Sequence, residues 1–540
     1  MLHSRFLRVV VLPALLLLLA GLGLGCYYET NDDVSITLLL QGSTAAAPVT
    51  DLHLYFHGLA RLLAALYQHW PTLPWYGLLL YALLYLATVL SFAVLDKLLR
   101  GRLPGPRITV VLVVFFALAW LEHGLWFNYV RVPVLLAGTA LLLAAQRPTR
   151  RRILALALLS LLLAWLIRPS AALLGVAAAG PGALWLAGRR GASLVGGALA
   201  LLLLANGGLL LLRTPAGATY RTLDVLKSNL NDYELYRPVP ATPADSLGLQ
   251  AVAHWALGDS TLVNAGLFRR ATRLEAGYFL TQVAPHKALA ALSLLGRDYF
   301  ALLVLLTVGG LLVARSRRYP QRRRFWLTQL FFGALLAGLA VGLKLPPRLG
   351  MPLFSLWTMT TLIYFLRDTR RPLPRLSPVF FGTLALLLIA YAFKTVHRRQ
   401  VLGREQARGL AVLGPAQAAT QRGAVLVTAG LEAAFKSQSP FQVLQFAPHS
   451  VLCLTGWPTL DPSQPALRAR LTGTRAQAPA LARLAGQPTT QWWLAPEAVP
   501  WLTAYLVGAS YQVRLQPPAA SLPTAPDLPQ PFGVGVARMK

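Results

Sequence analysis

The chain has 540 residues, of which 56% are hydrophobic and only 13% are charged. This composition is typical of a protein that crosses a membrane several times, and it excludes an ordinary soluble globular protein. The formal net charge of +31 would suggest nucleic-acid binding in a soluble chain. Here the basic residues stand in short clusters between apolar runs, without interleaved aromatic residues, so we expect no nucleic-acid partner.

The amino terminus has two arginines before an apolar run at residues 9–24. We interpret this run as an uncleaved first membrane helix, because Gly23 stands where a lipoprotein cleavage site before Cys26 would have a leucine. Cys26 and Cys453 are the two cysteines. The sequence therefore predicts neither a disulfide framework nor a thiolate metal site.

A polar stretch, Tyr28-Glu29-Thr30-Asn31-Asp32-Asp33, directly follows this run. Ionisable groups at a membrane boundary are costly and usually have a task, so Asp32 and Asp33 are the leading candidates for a general base, a divalent-cation ligand, or both. Either one would be the base and the other its orienting partner, and Asn31 is a substrate-binding candidate. The alternative is that these residues only cap a helix that begins near Val34.

Residues 52–70 have apolar side chains at helical spacing and polar ones largely on the opposite face. This pattern predicts an amphipathic helix on the membrane surface. His53 and His57 lie one turn apart on its polar face, which is a weak metal signal without a third ligand. The favoured interpretation is that both histidines are ordinary polar residues on the solvent-facing side of the helix. His53 remains a substrate-binding candidate because it follows the aspartates closely in sequence.

Eleven apolar runs are long enough to cross a hydrocarbon core of roughly 30 Å. They centre near Leu16, Leu84, Phe116, Ala137, Leu161, Val176, Leu202, Val304, Leu335, Trp357 and Leu387. Basic clusters occupy every second connection, at residues 97–107, 147–152, 189–190, 315–324 and 367–375. The positive-inside rule makes these connections cytoplasmic and the amino terminus cytoplasmic too.

The same rule predicts two long outer loops, residues 26–75 and 213–297, and an extracytoplasmic carboxyl-terminal portion. His397-Arg398-Arg399 opposes that placement. The second loop contains Asp224 and Asp232, which are substrate-binding candidates, and residues 246–289 in it are predicted to be helical. Glu122, His123 and Asn128 are weaker candidates on a short outer connection.

Lys344 and Arg348 flank two prolines in a further outer connection. Two cations on a rigid turn at the outer face are suited to the phosphate of a membrane lipid. The alternative is an ordinary loop whose cations contact lipid head groups.

Residues 395–540 are predicted to form a small extracytoplasmic α/β domain. The expected strands are residues 423–429, 450–454, 491–494 and 511–515, and the expected helices are 464–484 and 497–507. A proline-rich tail, residues 517–531, is expected to be unstructured. The predicted fold is therefore mainly α, a polytopic transmembrane helix bundle in residues 1–394 followed by this domain.

The acidic stretch, the later Gly42 and His53, and the Trp75-Tyr76-Gly77 segment together resemble the GT-C glycosyltransferases of bacterial membranes. Enzymes of this family take a sugar from a polyprenyl-phosphate carrier on the outer face of the membrane. The resemblance implies transfer to a glycan, lipid or protein acceptor, with Asp32 or Asp33 as the base and Lys344 and Arg348 on the departing phosphate. Some GT-C enzymes require a divalent cation, so Mg²⁺ or Mn²⁺ is a possible cofactor.

Two other classes of function stay open. A transporter or flippase for glycan precursors would be expected to have ionisable or proline-broken positions within several spans, whereas these apolar runs are nearly free of charge. A non-catalytic assembly protein of the cell envelope would use the terminal domain as a binding module. The abundance of arginine and leucine over lysine suggests a bacterial inner-membrane protein from a GC-rich genome.

Overall fold

The structure is a computed structural model that describes residues 4–315, 319–368, 377–516 and 528–538. The chain is mainly helical and has several long apolar helices. It divides into two compact units. The first unit consists of Met1–Tyr27, Gly77–Leu212 and Ala284–Val401, and the second consists of Tyr28–Tyr76, Arg213–Val283 and Leu402–Lys540.

The first unit is built of helices. Their bounds are Leu12–Leu24, Trp75–Leu99, Gly105–Ala119, Leu121–Leu125, Arg131–Gln146, Arg151–Ile167, Pro169–Ala187, Arg189–Leu211, Ala284–Asp298, Phe300–Arg315, Arg322–Ala337, Pro347–Leu366 and Pro378–Gln421. Short π-helical turns occur at Leu7–Val11 and Gly338–Gly342. Each of the eleven predicted apolar runs is centred within one of these helices.

Seven of the described helices are long and apolar enough to cross a membrane. The pair Ala276–Asp298 and Phe300–Arg315 adds an eighth if it counts as one span, although the two helices meet at 87°. Gly105–Ala119 and Arg131–Gln146 are apolar but shorter. A membrane protein is thus indicated, whereas the count of eleven spans stays a prediction.

In the first unit, contacts link segments at or beside four of the basic clusters, residues 97–107, 147–152, 315–324 and 367–375. Several contacts join one cluster to another: Arg8 with Asp96 (2.9 Å), Lys97 with the carbonyl of Gln146 (2.9 Å), Arg147 with the carbonyl of Ala93 (3.1 Å), Arg102 with the carbonyl of Asp368, and Arg367 with Gln321 (3.0 Å). Clusters that are far apart in sequence are therefore neighbours in space.

The second unit is organised around a five-stranded sheet. Its strands are β1 (Val425–Ala429), β2 (Val451–Cys453), β3 (Thr490–Leu494), β4 (Tyr511–Gln516) and β5 (Gln530–Arg538). Their spatial order is β2-β1-β3-β5-β4; β1 is parallel to β2 and β3, and β5 is antiparallel to both its neighbours. The helices of this domain are Gln464–Thr472, Gln477–Ala485 and Ala498–Gly508.

Most of both predicted outer loops belongs to the same unit as this domain, whereas residues 284–297 of the second loop belong to the first unit. The first loop contributes the motif helix, Asp32–Gln41, and the helix Leu59–His69. The second loop contributes the helices Pro215–Asn231, Pro243–Ala253, Ala265–Ala271 and Ala276–Tyr278, the π-helical turn Phe279–Val283, and an antiparallel pair of strands, Tyr236–Pro238 and Thr272–Leu274. Leu249 and Leu267 of the second loop share one hydrophobic core with Leu452 and Trp492 of the sheet.

The first loop covers the edge strand β2. The N–H of His449 donates to the carbonyl of Gly42 (2.9 Å), and the N–H of Val451 donates to the carbonyl of Ser43 (3.1 Å). Gly42 ends the motif helix with a φ of +76°, and a Cβ there would lie 2.8 Å from the backbone nitrogen of Pro48. Only glycine fits both the left-handed backbone and the close approach.

Several predicted elements of residues 395–540 are present in the structure. The four predicted strands are confirmed as β1 to β4, and the helix predicted at residues 497–507 is confirmed as Ala498–Gly508. The single helix predicted at 464–484 is two helices with a break between Thr472 and Gln477. Of the predicted unstructured tail, residues 517–527 lie outside the described residues, and β5, which begins at Gln530, was not predicted.

Three other expectations need correction. The helix predicted at residues 52–70 begins only at Leu59, because His53, Phe56 and Gly58 all have positive φ. Residues 246–289, predicted to be helical, are helical in several separate pieces, with non-helical residues after Ala253 and a strand at Thr272–Leu274 between them. The last long helix, Pro378–Gln421, continues past the predicted domain boundary at residue 394, so it contributes residues to both units.

Candidate functional site

The acidic stretch enters the second unit as a short extended segment. The N–H of Tyr28 donates to the carbonyl of Gln438 (2.9 Å), and the N–H of Ser437 donates to the carbonyl of Tyr28 (3.1 Å). The motif helix then begins at Asp32. Both aspartates therefore lie in its first turn, where the helix dipole favours negative charge.

Asp33 is the buried member of the pair, with none of its surface exposed. The hydroxyl of Tyr76 donates to Oδ1 of Asp33 (2.9 Å), and the N–H of Tyr76 donates to the hydroxyl oxygen of Tyr67 (3.1 Å). Burial, reinforced by the charge of Asp33, raises the pKa of Tyr28 well above its usual range. Asp33 is thus fixed by buried tyrosines around it.

Asp32 is the accessible member, because it is only half-buried. The hydroxyl of Thr30 donates to its Oδ2 (3.1 Å). The cap residue of the helix is Asn31, whose side chain makes no capping hydrogen bond. The two aspartates are therefore helical residues of the first turn rather than the N-cap of a helix that begins near Val34.

A strained turn, residues 52–58, follows in the same loop. His53 has a φ of +60°, Phe56 of +54° and Gly58 of +74°. Non-glycine residues seldom adopt such values unless their surroundings fix them, and functional sites are where such strain concentrates. The ring of Phe56 lies 5.3 Å from the ring of Tyr76, which bonds Asp33. The turn and the aspartate pair are therefore joined by one aromatic contact.

His53 is held by Asp51 at two points. Oδ1 of Asp51 accepts the backbone N–H of His53 (2.9 Å), and Oδ2 lies 3.3 Å from the ring Nδ1. The hydrogen bond to His53 lowers the pKa of Asp51 to about 2. Burial by itself would lower the pKa of His53, but its hydrogen bond and charge contact with Asp51 raise that pKa overall.

Other segments of the second unit complete the surroundings of His53. The ring of Tyr220 lies 5.4 Å from the imidazole, and a Cβ on Gly217 would approach Nδ1 to 3.1 Å. Asp461, from the terminal domain, also acts electrostatically on His53. Asp461 is only 3% exposed, burial raises its pKa, and its Oδ2 has no hydrogen-bond partner among the described residues.

The other sequence candidates have different surroundings. Asp224 pairs with Lys227 on its own helix (2.9 Å). Asp232 follows the end of that helix, and its N–H donates to the carbonyl of Ser228 (2.9 Å). These observations associate both residues with the helix Pro215–Asn231.

Lys344 and Arg348 belong to the first unit. Lys344 is exposed, whereas Arg348 is half-buried in the first turn of the helix Pro347–Leu366. The expected double-proline turn is present, because Pro346 is the cap residue and Pro347 is the first helical residue.

The sequence marked Glu122 as a weaker candidate, but it did not reveal the cluster of buried charges around this residue in the first unit. Lys394 and Arg398 lie one turn apart and both donate to the carboxylate of Glu122, at 2.6 and 2.9 Å. Both also contact Asp298: Lys394 donates to its carbonyl (2.9 Å), and Arg398 donates to its carboxylate. We call these four residues the buried ion group. The i, i+4 spacing of the two cations was the available signal.

The predicted divalent-cation site has few side-chain ligands in the structure. Within residues 4–315, 319–368, 377–516 and 528–538, no group of three or more histidine, cysteine or acidic side chains is arranged to hold a metal ion. His53 and His57 do not share a helical face, because the turn that carries them is not helical. The pair Asp32 and Asp33 would need further ligands from a substrate, from water or from the backbone.

No profile of a known protein family matches the sequence, and neither a curated protein nor a solved structure is significantly similar to it. The resemblance to the GT-C enzymes therefore depends on the residues quoted above.

Proposed function

We propose that this chain is a membrane glycosyltransferase. It would move a sugar from a polyprenyl-phosphate donor to a glycan, lipid or protein acceptor on the outer face of the membrane. The observation that carries the proposal is the difference between two adjacent carboxylates. Asp33 is buried and bonded to Tyr76, whereas Asp32 is half-buried beside it.

This difference in burial suggests different roles for the two aspartates. Asp33 has a fixed partner and orients the first turn of the motif helix. Asp32 remains accessible, so it is the residue proposed to act as base. It takes the proton of an acceptor hydroxyl, whose oxygen then attacks the anomeric carbon from the face opposite the leaving group. The bond from that carbon to the phosphate oxygen breaks, and the lipid phosphate leaves with the electron pair.

The leaving phosphate is a weak base and needs no strong general acid. Lys344 and Arg348 are proposed to stabilise its charge. His53 is proposed to bind the acceptor, because Asp51 holds its ring at Nδ1 and leaves Nε2 for a hydroxyl. Asn31 keeps its proposed role in substrate binding, and Asp224 and Asp232 are weaker candidates because of their association with another helix.

The two units support the proposed topology. Contacts join segments at or beside four of the five basic clusters of the first unit, which supports placing those connections on one side of the membrane. Most of the three segments proposed to be extracytoplasmic lies in one compact unit. The exception noted in the sequence is His397-Arg398-Arg399; within it, Arg398 pairs with Glu122 and Asp298.

The test is sugar transfer by purified protein in lipid nanodiscs, with a panel of radiolabelled polyprenyl-phosphate sugars. We expect transfer or donor hydrolysis by the natural protein and loss of both in Asp32→Asn. Glu275→Gln is the matched control, because Glu275 is a half-exposed acidic residue of the second loop that pairs with Arg237 (3.3 Å). EDTA followed by Mg²⁺ or Mn²⁺ decides the metal requirement. Equal transfer by Asp32→Asn and natural protein would refute the proposed base.

A lipid transporter is the second candidate, and the buried ion group favours it. Charged side chains buried in a membrane protein often mark a substrate or proton path. Fluorescent polyprenyl-phosphate lipid in proteoliposomes separates the two functions, because a flippase exposes the lipid to an external quencher without cleaving it. Donor cleavage without such movement supports the glycosyltransferase.

A further inference from the structure

Ser437 is a buried residue of the terminal domain with an uncommon backbone. Its φ is +62°, in the left-handed region that non-glycine residues rarely adopt. Its N–H donates to the carbonyl of Tyr28 (3.1 Å), and the carbonyl of the next residue, Gln438, accepts the N–H of Tyr28 (2.9 Å). The terminal domain therefore holds the acidic stretch by its backbone, shortly before Asp32.

The long helix Pro378–Gln421 supports this contact from the other side. The hydroxyl of Ser437 donates to Oε2 of Glu405 on that helix (2.7 Å). Gly409, one turn later, lets Gln438 pack against the helix, because a Cβ there would lie 2.4 Å from the side-chain nitrogen of Gln438. That nitrogen donates in turn to the carbonyl of Ala434 (2.9 Å).

We propose that Ser437 and Glu405 are positioning residues for the aspartate pair. The left-handed backbone of Ser437 points its N–H at Tyr28 while its hydroxyl is held by Glu405. A hydrogen bond from a hydroxyl to a carboxylate is stronger than one between two neutral groups. Glu405 therefore stabilises the left-handed backbone of Ser437, which would otherwise relax. The terminal domain is then part of the acidic site rather than a separate binding module. The catalytic consequence rests on the proposed function, but the mechanical coupling does not.

Paired variants separate the hydroxyl from the backbone. Ser437→Ala removes the hydroxyl and keeps the strained φ, whereas Ser437→Gly removes the hydroxyl and relieves the strain. Glu405→Leu removes the acceptor, and Glu405→Gln keeps an oxygen for the hydroxyl of Ser437. Lys436→Ala is the control, because Lys436 is half-exposed and its ion pair with Glu405 is long (3.4 Å).

The first measurement is amide hydrogen exchange of the Tyr28 N–H in the full chain in nanodiscs. We expect the Tyr28 N–H to exchange faster in Ser437→Ala and Glu405→Leu than in the natural protein. In Glu405→Gln and Lys436→Ala we expect it to exchange at the rate of the natural protein. The second measurement is sugar transfer by the same proteins. Small displacements of reacting groups cost up to about a hundredfold in rate, so we expect kcat to fall at least about tenfold in the first two variants while KM for the donor is unchanged.

The outcomes are distinguishable. If Ser437→Ala and Glu405→Leu have the same Tyr28 exchange rate and the same kcat as the natural protein, the positioning role is overturned. Loss of kcat in Ser437→Ala that Ser437→Gly recovers would support the proposal, because glycine adopts the left-handed backbone without help from the hydroxyl. Faster Tyr28 exchange in a protein that transfers no sugar from any donor would sustain the coupling and refute the proposed function.

Discussion

The hydroxyl of Tyr76 donates to Oδ1 of Asp33 over 2.9 Å, and both side chains are buried. The tyrosine lies at the start of the helix Trp75–Leu99, and the aspartate lies at the start of the motif helix. Both ends of the first predicted outer loop therefore meet at one carboxylate. The loop is closed by a charge-assisted hydrogen bond at the residue that the sequence marks as a candidate for catalysis.

Tyr76→Phe removes this donor and leaves a buried carboxylate with one partner fewer. Hydrogen bonds to charged groups contribute about 1.5–3 kcal/mol, so we expect the free energy of unfolding to fall by about 2 kcal/mol. Reversible unfolding by SDS in mixed micelles measures it. Tyr511→Phe is the control, because it removes the hydroxyl of a half-buried tyrosine on strand β4 rather than at the motif helix. Equal losses in both variants would contradict the assignment.

The two aspartates should differ in what their removal costs. Asp33→Ala leaves the buried hydroxyl of Tyr76 without its acceptor, so we expect a loss of about 1–3 kcal/mol in unfolding free energy. Asp32→Ala removes a half-buried carboxylate bonded to Thr30, and we expect a loss below about 1 kcal/mol. The same micelle titration compares them. A larger loss from Asp32→Ala would reverse the proposed division of roles.

Stability should depend on pH through Asp51 and His53. The pKa of Asp51 is lowered from 3.8 to about 2, so its contribution is complete above its unfolded value and is lost as pH falls towards 2. The pKa of His53 is raised above 6.5, so its contribution is complete below 6.5 and is lost as pH rises through the folded value. The pair therefore stabilises most between about pH 4 and 6.5.

Because Asp51 is exposed, screening limits this effect to less than about 1 kcal/mol. The measurement is Tm between pH 4 and 8 for natural protein and His53→Gln. We expect the two Tm curves to lie furthest apart at the acidic end and to converge above the folded pKa of His53. Parallel curves over the whole range would show that the pair makes no pH-dependent contribution.

Gly42 and Gly423 separate backbone strain from steric conflict. Both have left-handed backbones, with φ of +76° and +90°, but a Cβ at Gly423 meets nothing within 4 Å. Gly423→Ala should therefore cost only the conformational term, about 1–2 kcal/mol. Gly42→Ala adds a clash with the backbone of Pro48 and should cost clearly more. Similar unfolding free energies for the two variants would contradict the contact at Gly42.

The sequence predicted elements better than it predicted contacts. The strands β1 to β4 were predictable, because short apolar runs between turn residues are typical of buried strands. The turn at residues 52–58 was not, because its apolar side chains fall at helical spacing while the backbone at His53 and Phe56 is left-handed.

The candidate site was predictable only in part, for a related reason. Asp32 and Asp33 were conspicuous as adjacent charges after an apolar run. Their surroundings were not, because periodicity carries no information about which distant segments pair. The backbone hydrogen bonds of Tyr28 with Ser437 and Gln438 join positions about 400 residues apart. No local sequence pattern predicts such bonds.

The buried ion group gives the sharpest test of the first unit. Glu122 is 3% exposed and Asp298 is 1% exposed, and Lys394 and Arg398 each contact both carboxylates. Removing one member of a buried ion pair leaves an uncompensated charge and costs about 3–5 kcal/mol. We expect Glu122→Gln to reduce the unfolding free energy by that amount, and the double variant Glu122→Gln with Lys394→Met to recover part of it.

The control is Arg297→Gln, because Arg297 also pairs with Asp298 (3.0 Å) but is 67% exposed. Its loss should therefore cost less than about 1 kcal/mol. Strictly additive losses in the double variant would mean that Glu122 and Lys394 do not stabilise each other.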